Sequence, residues 1–151
     1  MVEAIPDEDL VSRLVDSPNK WSQTEQRFVE ARLFEFPSHA PLESVVWRKY
    51  KPDIASVHAL GCLMQAAKRE MKPNWTYEGA VSTQVSAIRR IKNQVGDGFS
   101  VEHAPDEGQH HAHLGYALVP GDENLKHRKA DLKEFLRNTF LAAGFEQHEC
   151  A

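Results

Sequence analysis

The stretch Gly96-Asp97-Gly98-Phe99-Ser100-Val101-Glu102-His103-Ala104-Pro105-Asp106-Glu107-Gly108-Gln109-His110-His111-Ala112-His113-Leu114-Gly115-Tyr116-Ala117-Leu118-Val119 changes the period of the chain. Gly96-Asp97-Gly98 makes a turn, after which Phe99, Val101 and His103 alternate as strand side chains do. A second strand starts at His110 or His111, runs to Val119 and ends at Pro120-Gly121. The two form a hairpin around residues 104–109, with a loop longer than the tightest turns.

Upstream of this hairpin the apolar spacing is helical. Leu10, Val11, Leu14 and Val15 suit a short helix that stops before Pro18, and Ser22-Gln23-Thr24-Glu25 has the capping-box arrangement. Pro41 can occupy the first turn of a helix through Leu42, Val45, Val46 and Lys49. Asp53 caps a stronger pattern, with Val57, Leu60, Met64, Ala67 and Met71 on one stripe. After Lys72-Pro73-Asn74, Val81, Val85, Ile88, Ile91 and Val95 form another. Downstream, Leu125, Leu132, Phe135, Leu136 and Phe140 give the apolar face of a helix over 124–143. Gly144 then stops it and Phe145 folds back.

These readings predict an α+β fold, with four or five helices packed against a small antiparallel sheet that contains the histidine-rich hairpin. A two-stranded hairpin is marginal alone, so a further strand is expected from Val29 to Phe36 or from a partner chain. With 151 residues, 41% hydrophobic and 26% charged, the chain reads as a single compact domain, 1–151, with frayed ends.

Four of the eight histidines lie between His103 and His113. Imidazole titrates near neutrality and is the commonest metal ligand, so this run is the main candidate site. Register decides its composition. In the symmetrical hairpin His103 faces His110 and shares the face of Leu114, Tyr116 and Leu118, while His111 and His113 point to the other side. A one-residue shift instead unites His103, His111 and His113.

The shifted arrangement supplies three imidazole ligands, with Asp106 as a further metal ligand and Glu102 or Glu107 as a general base. His110 and Tyr116 stand as supporting groups. A divalent metal, zinc ahead of others, is the expected cofactor, and the expected chemistry is hydrolysis of an ester or phosphoester by a metal-activated water. Two alternatives stay open. One is a noncatalytic interaction or regulatory domain with a structural or pH-responsive hairpin. The other is a nucleic-acid-binding accessory domain using Arg48, Lys49, Arg89 and Arg90, ranked lower because the net charge is −4.

The two cysteines, Cys62 and Cys150, cannot build a multi-disulfide scaffold, and a reducing cytoplasm fits them best. Cys62 reads as a small buried thiol ahead of a nucleophile paired with His58, and Cys150 could bind metal with His148. No signal peptide or membrane span is legible, so the expected location is cytoplasmic and no membrane partner is expected. The partner is an unknown protein or small molecule. A homodimer is compatible with the sequence but not demanded by it.

Overall fold

Stiff β-branched side chains favour a pleated surface over a helix, and here they win at the three segments where apolar spacing also permits helix. The computed structural model describes residues 1–151. Strands β1 (Leu10–Ser17), β4 (Leu42–Trp47) and β5 (Thr76–Gln84) lie together in a six-stranded sheet with β6 (Gly98–His103), β7 (His111–Ala117) and β8 (Phe145–Gln147). All pairings are antiparallel, in the order β6-β7-β4-β1-β5-β8.

The predicted fold of four or five helices on a small sheet is therefore overturned: the large sheet dominates. Strand β1 is buried along almost its whole length, at Val11, Ser12, Arg13, Val15, Asp16 and Ser17. A strand covered on both faces loses the alternation that marks a half-exposed one, which is why its apolar residues matched a helical template.

The region 22–25 is also corrected. The Ser22 hydroxyl does accept the Glu25 N–H at 3.1 Å, as in a cap, but the turn joins a two-residue pair of strands, β2 (Trp21–Ser22) and β3 (Arg27–Phe28). The expected strand over 29–36 is replaced by one turn of helix, α1 (Glu30–Leu33). The helix expected after Asn74 survives only as α3 (Val85–Arg89).

Two long helices form where predicted. Helix α2 (Ile54–Lys68) is capped by Asp53, whose side chain accepts the Ser56 N–H at 2.8 Å. Helix α4 (Leu125–Ala142) buries Leu132, Leu136 and Phe140 against Val11, Val81, Phe99 and Leu114. Each such side chain contributes roughly 2 kcal/mol by leaving water. On the other face, α2 buries Val57 against Val46 and Ala80, while Leu60 and Met64 are only half-buried and Met71, beyond the helix, is 89% exposed.

After α4 the chain returns as predicted, with Phe145 packing between Trp21 and Phe28 at ring separations of 5.0 and 4.8 Å. Gly79 makes this edge feasible. Its φ is +144°, and a Cβ there would sit 2.2 Å from the Glu146 carbonyl oxygen on β8. The free thiol expected at Cys62 is absent, because Cys62 and Cys150 are joined in a disulfide. No helix is long and apolar enough to cross a membrane.

Candidate metal centre and groove

The observed register of β6 and β7 sets His103 opposite Ala112, Val101 opposite Leu114 and Phe99 opposite Tyr116. Relative to the symmetrical hairpin this is a shift of two residues, and side-chain period is two, so the faces are unchanged. His103 stays with Leu114 and Tyr116 on the α4 side. His111 and His113 project to the α2 side.

His103 is buried at 5% exposure, edge-on to Trp47 and stacked near Tyr50. Its Nδ1 accepts the Glu3 N–H at 3.0 Å, and its Nε2 lies 2.9 Å from the Gln109 carbonyl. A backbone N–H can only donate and a carbonyl can only accept, so the ring is the Nε2–H tautomer with both nitrogens engaged. It has no lone pair to offer a metal. The three-imidazole set of His103, His111 and His113 is not brought together.

A different set converges. Glu107 ends a 3-10 turn, Pro105–Glu107, that folds toward β7. One carboxylate oxygen lies 2.6 Å from His113 Nε2 and 3.8 Å from His111 Nε2. The ligand atoms of Glu107, His111 and His113 all fall within 4.8 Å of one another. Donors about 2.0–2.1 Å from a tetrahedral zinc sit roughly 3.4 Å apart, so this spacing fits a shared ion with side-chain adjustment.

Both imidazoles are half-buried and the carboxylate is open to solvent. The Ser44 hydroxyl, on the neighbouring strand β4, lies 2.9 Å from the same His111 Nε2 and gives way when that nitrogen takes an ion. Burial pushes the His111 pKa down and so favours the neutral ring, despite the nearby Glu107 carboxylate.

The remaining predicted groups separate. Glu102 is exposed directly across from His113, so its side chain shares that face. Asp106 is exposed in the turn and lies outside the converging donors. His110 is half-buried beside His111, and burial lowers its pKa. Tyr116 packs with Phe36 and Phe99 on the opposite face, where burial pushes its hydroxyl up to about 12.

The basic residues considered for nucleic acid are largely engaged within the chain. Arg48 donates to the Lys51 and Pro52 carbonyls, Lys49 pairs with Glu3, and Arg89 binds Asp7 and the Ile5 carbonyl. Arg90 is exposed.

Sequence reasoning missed the groove beside this centre. It has a volume of about 660 Å³ and lies where α2 leaves Leu60 and Met64 incompletely packed over Leu14 and Val46. Strand register puts His110 and His111 at its Val46 end and Asp16, Lys20 and Trp75 near the far end of β1. The run from Ser12 to Ser17 spans roughly 16 Å at 3.3 Å per residue.

Lys20 is tied to Asp16 at 2.7 Å, and burial pulls its pKa down. Lys68 and Lys72 line the same end and belong to no ion pair. The apolar stripe of α2 was visible in sequence as a core face, but its partial exposure and the strands that make it a groove wall were not. No protein-family model matches the sequence, and neither the curated proteins nor the solved structures searched give a significant match.

Proposed function

We propose that the chain holds a divalent metal ion, zinc by preference, on Glu107, His111 and His113 and acts on an anionic ester or phosphoester lying in the adjoining groove. The observation that carries this reading is the convergence of those three donors within 4.8 Å, with His111 also lining the groove. Two imidazoles and a carboxylate suit zinc among the biological divalent ions, and three protein ligands leave a coordination position for substrate chemistry. An ion held there would supply Lewis acidity to an ester or phosphoryl oxygen.

The rest of the work falls to side chains of this chain. Glu102, across from His113, is an exposed carboxylate on that face and takes the general-base role once Glu107 is a ligand. Leu14, Val46, Leu60 and Met64 provide an apolar floor, and Lys68 and Lys72 supply unpaired positive charge for an anionic group. A substrate with an apolar body and an acidic end matches that distribution.

The test begins with untagged protein kept oxidised, so that both cysteines stay in their disulfide. Elemental analysis should find near-stoichiometric metal in the wild type and a loss of most of it in His111→Ala/His113→Ala, with circular dichroism unchanged. Against chromogenic esters and phosphoesters, Glu102→Gln should lower kcat by about 100-fold or more, and Lys68→Ala/Lys72→Ala should mainly raise KM. Wild-type protein that takes up no metal under any supply would remove the metal reading and leave Glu107–His113 as a structural contact of a noncatalytic hairpin.

A further inference from the structure

On the side of α2 away from the hairpin, Cys62 faces the C-terminal segment that follows β8. The ligand atoms of Cys62, His148 and Cys150 lie within 4.8 Å of one another. The His148 N–H donates to the Glu78 carbonyl at 2.9 Å, which seats this segment on β5. His58, one helical turn before Cys62, stacks on His148 with ring centroids 4.3 Å apart and planes at 11°. Its Nδ1 lies 2.8 Å from the buried Tyr77 hydroxyl, so Nε2 is the nitrogen left for another partner.

We infer that these residues form a second, redox-gated metal site, in which Cys62, Cys150 and His148 bind zinc once the disulfide is reduced and His58, which stacks on His148 but lies outside the three converging donors, turns in as the fourth. Two thiolates and two imidazoles are the donor set of closed, structural zinc sites. Residues four apart on a helix share a face, so His58 and Cys62 can approach one ion from α2 while His148 and Cys150 approach it from the chain end. The Tyr77 hydroxyl would orient the His58 ring, as outer hydrogen bonds do for metal-bound imidazoles. Disulfide and metal are mutually exclusive because each engages both sulfurs.

Conversion requires an external dithiol as the reductant. One of its thiolates attacks the Cys62–Cys150 bond and expels one cysteine thiolate, and its second thiolate then attacks the dithiol sulfur of the mixed disulfide and expels the other. The dithiol leaves as a disulfide, and Cys62 and Cys150 together gain two electrons and two protons. Metal binding then releases those two protons as the thiolates form. This site is independent of the Glu107 centre, which contains no sulfur.

Cobalt distinguishes the two. Full-length protein is prepared oxidised, or reduced with a dithiol and desalted without air, and titrated with Co²⁺. Reduced protein alone should develop the thiolate-to-cobalt charge-transfer band, near-stoichiometrically, and added zinc should bleach it. His148→Ala and His58→Ala should each weaken binding at least tenfold, and Tyr77→Phe about tenfold. His111→Ala/His113→Ala should leave the band unchanged.

The histidine variants retain both cysteines, so circular dichroism of their oxidised forms reports folding separately from metal binding. No band in reduced wild-type protein, or an equal band in oxidised protein, would overturn the site. Unchanged affinity in properly folded His148→Ala and His58→Ala would overturn the four-donor set.

Discussion

The Asp97 carboxylate is fully buried and receives Arg128 Nε and Nη2 at 2.7 and 2.8 Å, the Asn93 amide at 2.8 Å and the Val119 N–H at 2.8 Å. These donors, the Arg128 guanidinium foremost, hold its pKa far below the ordinary carboxylate range. A depressed carboxylate pKa contributes stability that is present above the unfolded value of about 3.9 and is lost as pH falls through the folded one. Urea midpoints of the wild type should therefore fall steeply below about pH 4. Asp97→Asn, which leaves Arg128 buried without its counter-ion, should be less stable at pH 7 but show a shallower acid limb. Parallel pH profiles for the two proteins would show that Asp97 carries no such linkage. Sequence revealed Asp97 only as the middle of a glycine turn, because its partner lies 31 residues away. It revealed the candidate site better: His111 and His113 fall two apart on one strand, so they share a face in any register. Which face His103 joined depended on pairing that no local residue fixes.

At the scale of elements, α2 and α4 were legible because each is long and carries an apolar stripe, whereas β1 was hidden by burial on both faces and β4 and β5 by consecutive buried residues at Val45–Trp47 and Gly79–Val81. Helix α2 also contains an apparent flaw, Gly61, in its middle. Glycine in a helix interior costs about 1 kcal/mol relative to alanine, so propensity alone predicts that Gly61→Ala stabilises. Packing predicts the reverse. A Cβ at Gly61 would lie 2.4 Å from the Tyr77 ring, which is 1% exposed and held at its hydroxyl by His58. Overpacking a core costs about 1–3 kcal/mol, and a ring fixed at both ends cannot withdraw, so the upper part of that range applies. Gly61→Ala should therefore lose about 1–2 kcal/mol net, read as a lower urea midpoint with unchanged slope. A gain in stability would mean that α2 can lift from β5 with little cost. The same helix leaves the groove, since α2 stands close to the sheet at Val57 and Gly61 while Leu60 and Met64 are only partly covered.

Across the whole molecule the sheet separates a thick side, built on α4 and the aromatic core, from a thin side carried by α2 alone. Both candidate metal sites lie on the thin side, flanking α2, where side chains can reach a ligand without displacing the main core. That arrangement was illegible from sequence because it depends on strand order, and no local pattern states that β1 sits between β4 and β5. It also gives the Cys62–Cys150 bond a measurable role. The bond ties α2 to the segment after the last strand across 88 residues of chain. In the loop-entropy model, closing a loop of that length disfavours the unfolded state by about 4–5 kcal/mol. With metal removed by chelator, reduction should lower the urea midpoint by a corresponding amount and increase the slope, since the unlinked unfolded chain exposes more surface. Returning zinc to the reduced protein should recover part of the midpoint, because an ion bridging α2 and the chain end restores the same constraint from the folded side. Reduction that leaves both midpoint and slope unchanged would mean that α2 and the C-terminal segment are held by packing alone.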